Sequence, residues 1–186
     1  MNPALTSDVA DTLAAYVAQR GAPNGRADFL YAALDADRSV TSRKDLPVHL
    51  TCGAIIRHPD GRVLQIRHRA LDLWLFPGGH LEPEDESLIT AALREANEET
   101  GLKTRATEAR PVPIDIDVHA VPANDAKSEP EHHHADFRYV VELVDDGTVD
   151  LQADEVTDWR WIDPNRIDNA RLAERLAGLQ PGASTA

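Results

Sequence analysis

Three carboxylates, Glu95, Glu98 and Glu99, fall within five positions of this 186-residue chain. On an α-helix, spacings of i, i+3 and i+4 stack side chains on one face. Like charges so placed repel, so a helix built for stability alone would avoid them without a counter-charge. A divalent cation is the natural one, because carboxylate oxygens are hard ligands that suit Mg²⁺ or Mn²⁺. The surrounding residues predict the helix. Asp85 is its expected N-cap, with Glu86 in the first turn, where the helix dipole favours negative charge. Ile89, Leu93, Ala96 and Thr100 form a mostly apolar stripe roughly opposite the acids. Gly101 stands where a left-handed residue would end the helix. Ahead of it runs Trp74-Leu75-Phe76-Pro77-Gly78-Gly79, whose glycines let backbone approach a ligand closely and expose carbonyls.

Together these residues resemble the Nudix box. That pattern is a glycine, five residues, Glu, seven residues, then Arg-Glu-hydrophobic-x-Glu-Glu-x-Gly-hydrophobic. Arg94-Glu95-Ala96-Asn97-Glu98-Glu99-Thr100-Gly101-Leu102 matches its second half, and seven residues separate Glu86 from Arg94. One departure stands out: six residues, not five, separate Gly79 from Glu86. The extra residue falls in the loop Glu82-Pro83-Glu84-Asp85-Glu86, so it leaves the register of the three later glutamates untouched. It puts the role of Glu86 in doubt.

The length suits a single domain with a sizeable core. The resemblance implies an α/β/α sandwich with a mixed sheet over residues 46–180, preceded by an N-terminal helical extension over 1–45 and followed by a frayed tail, 181–186. The extension reads as helices Leu5–Arg20 and Asp28–Asp37 around a Gly-Ala-Pro-Asn-Gly break. An added layer, a lid or a homodimer surface are all open roles for it. Val48–Arg57 and Arg62–Arg69 read as a hairpin about His58-Pro59-Asp60-Gly61. Further strands are expected at Leu73–Phe76, Val112–Ala120, Asp136–Val144 and Asp158–Ile162. A last helix is expected from Pro164 to Leu179.

Other classes are disfavoured. The lone Cys52 rules out an internal disulfide framework and fits a reducing cytoplasm. No secretory signal is visible near Met1, and no apolar run approaches the ~18 residues a membrane span needs. A formal net charge of −13 argues against long nucleic acid, since phosphate binding rests on Lys and Arg. It leaves room for a small phosphorylated nucleotide-type substrate whose charge is met by metal.

A second cluster lies beyond the helix. In the first of two strands Ile114, Ile116 and Val118 alternate with Asp115, Asp117 and His119. In the other, Ala135, Phe137, Tyr139 and Val141 alternate with His132, His134, Asp136 and Arg138. Paired as a hairpin, the strands would merge their polar faces into a wall. That wall would supply a substrate contact, a general base or a further metal ligand; the alternative is a solvated sheet face. Zinc is one option, though adjacent histidines are not a fixed zinc spacing. His80, in the Gly-Gly-His turn, is a candidate beside them. His49 reads as structural and His58 as a turn residue. Arg67 and Arg69 are expected to share a strand face, for phosphate or for solvent.

The resemblance implies a hydrolase that cleaves a phosphoanhydride in a nucleoside diphosphate linked to a further group, with Mg²⁺ or Mn²⁺ as cofactor. Glu98 and Glu99 would be the main metal ligands and Glu95 a ligand or the base. Gly78 would lend its carbonyl, Arg94 would hold the glutamates, and Glu86 would support that network. Glu129, Glu131 or a histidine compete for the role of base. Two other readings stay open. One is a nucleotide sensor without turnover, which would be expected to lose a box glutamate. The other is an isoprenoid diphosphate isomerase, for which Cys52 is poorly placed.

Overall fold

The computed structural model describes residues 3–105, 109–125, 128–143, 147–152 and 154–179; the predicted tail at 181–186 lies outside them. Its centre is the strand β2, Val48–Arg57, numbered after a two-residue β1 at Asn24–Gly25. Nine of the ten β2 residues are buried, which marks a strand covered on both faces. β2 runs parallel to β7, His132–Glu142, from Val48↔His133 to Arg57↔Glu142. β7 in turn pairs antiparallel with β6, Asp115–Val121. On the other side come β3, Val63–His68, and β4, Leu73–Leu75. β5, Gly78–His80, pairs with β2, and β8, Val156–Ile162, pairs with β3. Parallel and antiparallel neighbours together make the expected mixed sheet.

Alternation along β2 and β7 sends successive side chains to opposite faces. Leu50 and Cys52 with Ala135, Phe137 and Tyr139 pack against Leu88, Ala91 and Ala92 of α3, Leu88–Thr100. Ala54, Ile56 and Val141 meet Leu93 and Ala96 of the same helix. On the opposite face Ile55, Ile114 and Val140 pack against Leu172 and Leu176 of the final helix, Ala170–Ala177. Helices thus flank the sheet on both sides. The N-terminal helices α1, Pro3–Arg20, and α2, Ala27–Asp35, add Leu5, Val9, Leu13, Tyr16, Leu30 and Ala33 to the α3-side core. Asp8 of α1 accepts a 2.8 Å hydrogen bond from the Leu88 N–H at the start of α3.

Several expectations need correcting. The N-cap of α3 is Ser87, not Asp85. Ser87 Oγ accepts from the Thr90 N–H while Thr90 Oγ1 accepts from the Ser87 N–H, a reciprocal capping box. Glu86 therefore precedes the helix and is exposed. The last helix is broken: Pro164–Arg166 forms one 3₁₀ turn, Ile167 is extended, and Asn169 caps a new helix by accepting from the Leu172 N–H. Strand β7 starts at His132 rather than Asp136. Asp115, expected on a polar face, is fully buried beneath Arg138, Arg171 and Arg175. No helix among the described residues is long and apolar enough to cross a membrane.

Candidate metal centre

The Gly78-Gly79 turn and α3 approach each other more closely than side chains would allow. A Cβ on Gly79 would stand 2.5 Å from Glu95 Oε1. One on Gly78 would run into the Cys52 carbonyl and come within 2.7 Å of Gly53 Cα. With no Cβ at either position, the Gly78 N–H reaches Glu99 Oε2 at 2.8 Å. Glu99 is 3% exposed, and burial, with the charges of Glu95, Glu155 and Glu98 acting the same way, pushes its carboxyl up to about 8. Burial likewise raises Glu95, against the opposing charge of Arg94. Gly101, with φ of 68°, closes the helix in the left-handed conformation as expected.

Arg94 ties this centre together. Its Nε and Nη2 donate to the two Asp85 oxygens at 3.1 and 3.0 Å, a bidentate grip. Nη1 donates to Glu95 Oε1 at 3.0 Å and Glu98 Oε2 at 3.2 Å, and Nη2 also to the His80 carbonyl at 3.0 Å. The carboxylate that holds Arg94 is thus Asp85, where Glu86 was expected. Five residues separate Gly79 from Asp85, so counting forward from the glycine finds it, whereas counting back from Arg94 finds Glu86. One guanidinium meets the charges of Asp85, Glu95 and Glu98, and Glu99 has burial and like charges against it. Hard oxygen donors in such a surplus fit a divalent cation of the Mg²⁺ or Mn²⁺ kind.

The polar wall forms on the sheet face opposite α3. β6 and β7 pair with Asp117 opposite Asp136, His119 opposite His134 and Val121 opposite His132. Arg138 Nε donates to Asp136 at 2.7 Å, and its terminal nitrogens approach Asp117 at 3.6 Å and Asp115 at 3.5 Å. His119 Nδ1 lies 3.3 Å from Asp117. The sequence reading missed His49. Parallel pairing sets it opposite His134, and its ring centre lies 4.8 Å from that of His132 and 4.7 Å from that of His134. His80 closes the group at 5.2 Å from His49 and 5.0 Å from His134. Burial holds His80 down to about 4 and His134 to about 3, so both rings are neutral near pH 7. His133 faces the other way and stacks on Phe29 at 3.8 Å.

The remaining candidates lie elsewhere. Arg67 pairs with Asp72 at 2.7 Å and lies over the Trp74 ring, as Arg160 does more closely. β3 ends at His68 with a register shift between Arg67 and His68, so Arg69 falls in the following turn rather than on a shared strand face. Glu129 pairs with Arg43 at 2.8 Å. Cys52 is buried, and burial raises its thiol well above the ordinary range, which makes it a core residue rather than an acid.

A mixed sheet between helices carries a glycine turn set against acids on one helix, an oxygen-rich centre competent to hold a metal. The NUDIX domain model matches residues 47–180, and the chain belongs to that family. A probable DHNTP pyrophosphohydrolase of Lactococcus lactis subsp. cremoris (strain MG1363) is 33% identical over 96 residues, 52% of this chain and 55% of that protein. The m7GpppN-mRNA hydrolase NUDT17 of Bos taurus is 30% identical over 146 residues, 73% of this chain and 46% of that one. The chain thus spans about half the length of the curated relatives it matches. A MutT NUDIX hydrolase structure from Burkholderia pseudomallei superposes with a TM-score of 0.51 at 20% identity, over 70% of this chain and 97% of that one. At that identity the likeness concerns the fold alone. The family generally uses divalent metals.

Proposed function

We propose that this chain is a Mg²⁺- or Mn²⁺-dependent hydrolase of a phosphoanhydride bond in a small nucleotide-type substrate. The observation that carries the reading is the set of Glu95 and Glu98, both bonded to Arg94, with Glu99, which accepts from the Gly78 N–H of the glycine turn. Glu98 and Glu99 would hold the cation, and the Gly78 carbonyl would add a further oxygen ligand. When bound, the cation neutralises phosphate charge and lowers the pKa of an attacking water. Glu95 orients that water or accepts its proton. Arg94 keeps the glutamates in position, and Asp85 keeps Arg94 in position. The two relatives act by name on DHNTP and on m7GpppN-mRNA. A net charge of −13 favours the smaller kind of substrate here.

The test is a panel of nucleoside triphosphates, nucleotide sugars, ADP-ribose and dinucleoside polyphosphates, assayed with each metal. Wild type and the Glu98→Gln, Glu99→Gln double variant run in parallel. Metal-dependent turnover lost in the variant is the expected result. Nucleotide binding without turnover on any member would replace the enzyme by a sensor, and a rearranged diphosphate would replace it by an isomerase.

A further inference from the structure

We propose that His49, His132 and His134 form a second metal site, made only of nitrogen ligands, that binds a divalent transition ion of the zinc class. One ring nitrogen from each lies within 4.8 Å of the other two, and no other group of three His, Cys or acid ligand atoms among the described residues is drawn together in this way. His132 Nε2 and His134 Nε2 are 3.2 Å apart. Zinc–nitrogen bonds of ~2.0–2.1 Å at tetrahedral angles put ligand atoms about 3.3 Å from each other. That pair already has the right separation, and a nitrogen of His49 lies within 4.8 Å of both residues' ligand atoms.

Backbone carbonyls orient two of the three rings as this site needs. His49 Nδ1 lies 3.1 Å from the Asp45 carbonyl and His132 Nδ1 lies 2.8 Å from the Pro130 carbonyl. A carbonyl only accepts, so each Nδ1 carries a proton, and Nε2 is the nitrogen that a neutral ring offers to a metal. Backbone carbonyls orient metal-ligating histidines in this way. His49 Nε2 is the decisive atom. The residue is 1% exposed, and this nitrogen is buried without a hydrogen-bond partner. A buried acceptor left without a partner is destabilising. A bound cation removes the penalty.

The donor set separates this site from the glutamate centre. Imidazole nitrogens suit Zn²⁺, Ni²⁺ or Cu²⁺, whereas Mg²⁺ takes oxygen. Three protein ligands leave a fourth position for water or a substrate oxygen, the arrangement of catalytic rather than structural zinc. The His80 ring lies beside those of His49 and His134, and its carbonyl accepts from Arg94 of the acidic centre. One residue therefore touches both centres.

The experiment uses tag-free, chelator-stripped full-length protein titrated with Co²⁺ in a large excess of Mg²⁺. Tetrahedral or five-coordinate Co²⁺ absorbs in the visible, and Mg²⁺ is silent. One equivalent of Co²⁺ should give these bands, Zn²⁺ should displace it, and Zn²⁺ should raise the melting temperature of wild type. His134→Gln, at a half-buried position, should lose the bands and bind Zn²⁺ at least about a hundredfold more weakly. His49→Ala should do the same, with far-UV circular dichroism reporting its fold. The Glu98→Gln, Glu99→Gln variant should bind Co²⁺ as wild type does. A wild type without bands, bands that survive in His134→Gln, or bands lost with the two glutamates would each overturn the proposal. None of these readouts depends on hydrolysis.

Discussion

The acidic centre on α3 and the histidine cluster on β2 and β7 meet at His80, yet they are built in opposite ways. The first draws its acids from one helix and the loop before it, Asp85 to Glu99, and its spacing is helical spacing. The second draws on two strands, with His132 lying 83 positions after His49, and its spacing exists only in the sheet register. The acidic centre carries surplus charge met by one arginine; the histidine cluster holds no acid ligand and leaves His49 Nε2 buried without a hydrogen-bond partner. The contrast teaches that a charge-dense site advertises itself along the chain, while a neutral site assembled across strands does not.

The largest effect expected is on the acidic side. The Glu98→Gln, Glu99→Gln pair should lower metal-dependent turnover by roughly a hundredfold or more, measured as kcat/KM at saturating Mg²⁺. Chelator treatment should match that loss, and added Mg²⁺ or Mn²⁺ should reverse it. If the pair also disturbed the histidine site, the two centres would be one, and the contrast would collapse.

Asp85→Asn comes next. It releases one side of the Arg94 clamp and should weaken Mg²⁺ affinity by roughly 10–100-fold, read as a shift in the metal dependence of turnover. Glu86→Gln, one residue along and exposed, should change stability by no more than about 0.5 kcal/mol in a denaturant titration. Equal effects from the two would restore Glu86 to the role the box pattern gave it.

Gly79→Ala tests the close approach of turn to helix. Its Cβ would press on Glu95, which should cost about 1–3 kcal/mol of stability and reduce kcat with it. An unchanged kcat would separate Glu95 from the chemistry. The smallest effect belongs to Cys52→Ala. A buried core thiol should cost on the order of 1 kcal/mol and leave turnover intact, whereas lost turnover would revive acid chemistry at that position.

Much of the fold was legible because local rules agreed with the tertiary outcome. Of the predicted stripe Leu93, Ala96 and Thr100 are buried and Ile89 is half-buried, Gly101 ends α3, and β6 and β7 pair on the alternation their residues announce. At two misread positions a distant partner decided what the local pattern left open. Asp85 and Ser87 are both good caps, but Arg94 claims Asp85 and leaves the cap to Ser87. Asp115 alternates as a solvent-facing residue should, until Arg171 and Arg175 of the last helix cover it.

The sequence by itself determined the helix, its three aligned acids and the glycine turn, because helical periodicity and backbone freedom are properties of neighbouring residues. Only the tertiary structure decided which acid holds Arg94 and that His49 joins His132 and His134. Those choices depend on strand partners and register, and register is fixed by burying one face of a sheet whose pairing no local segment specifies.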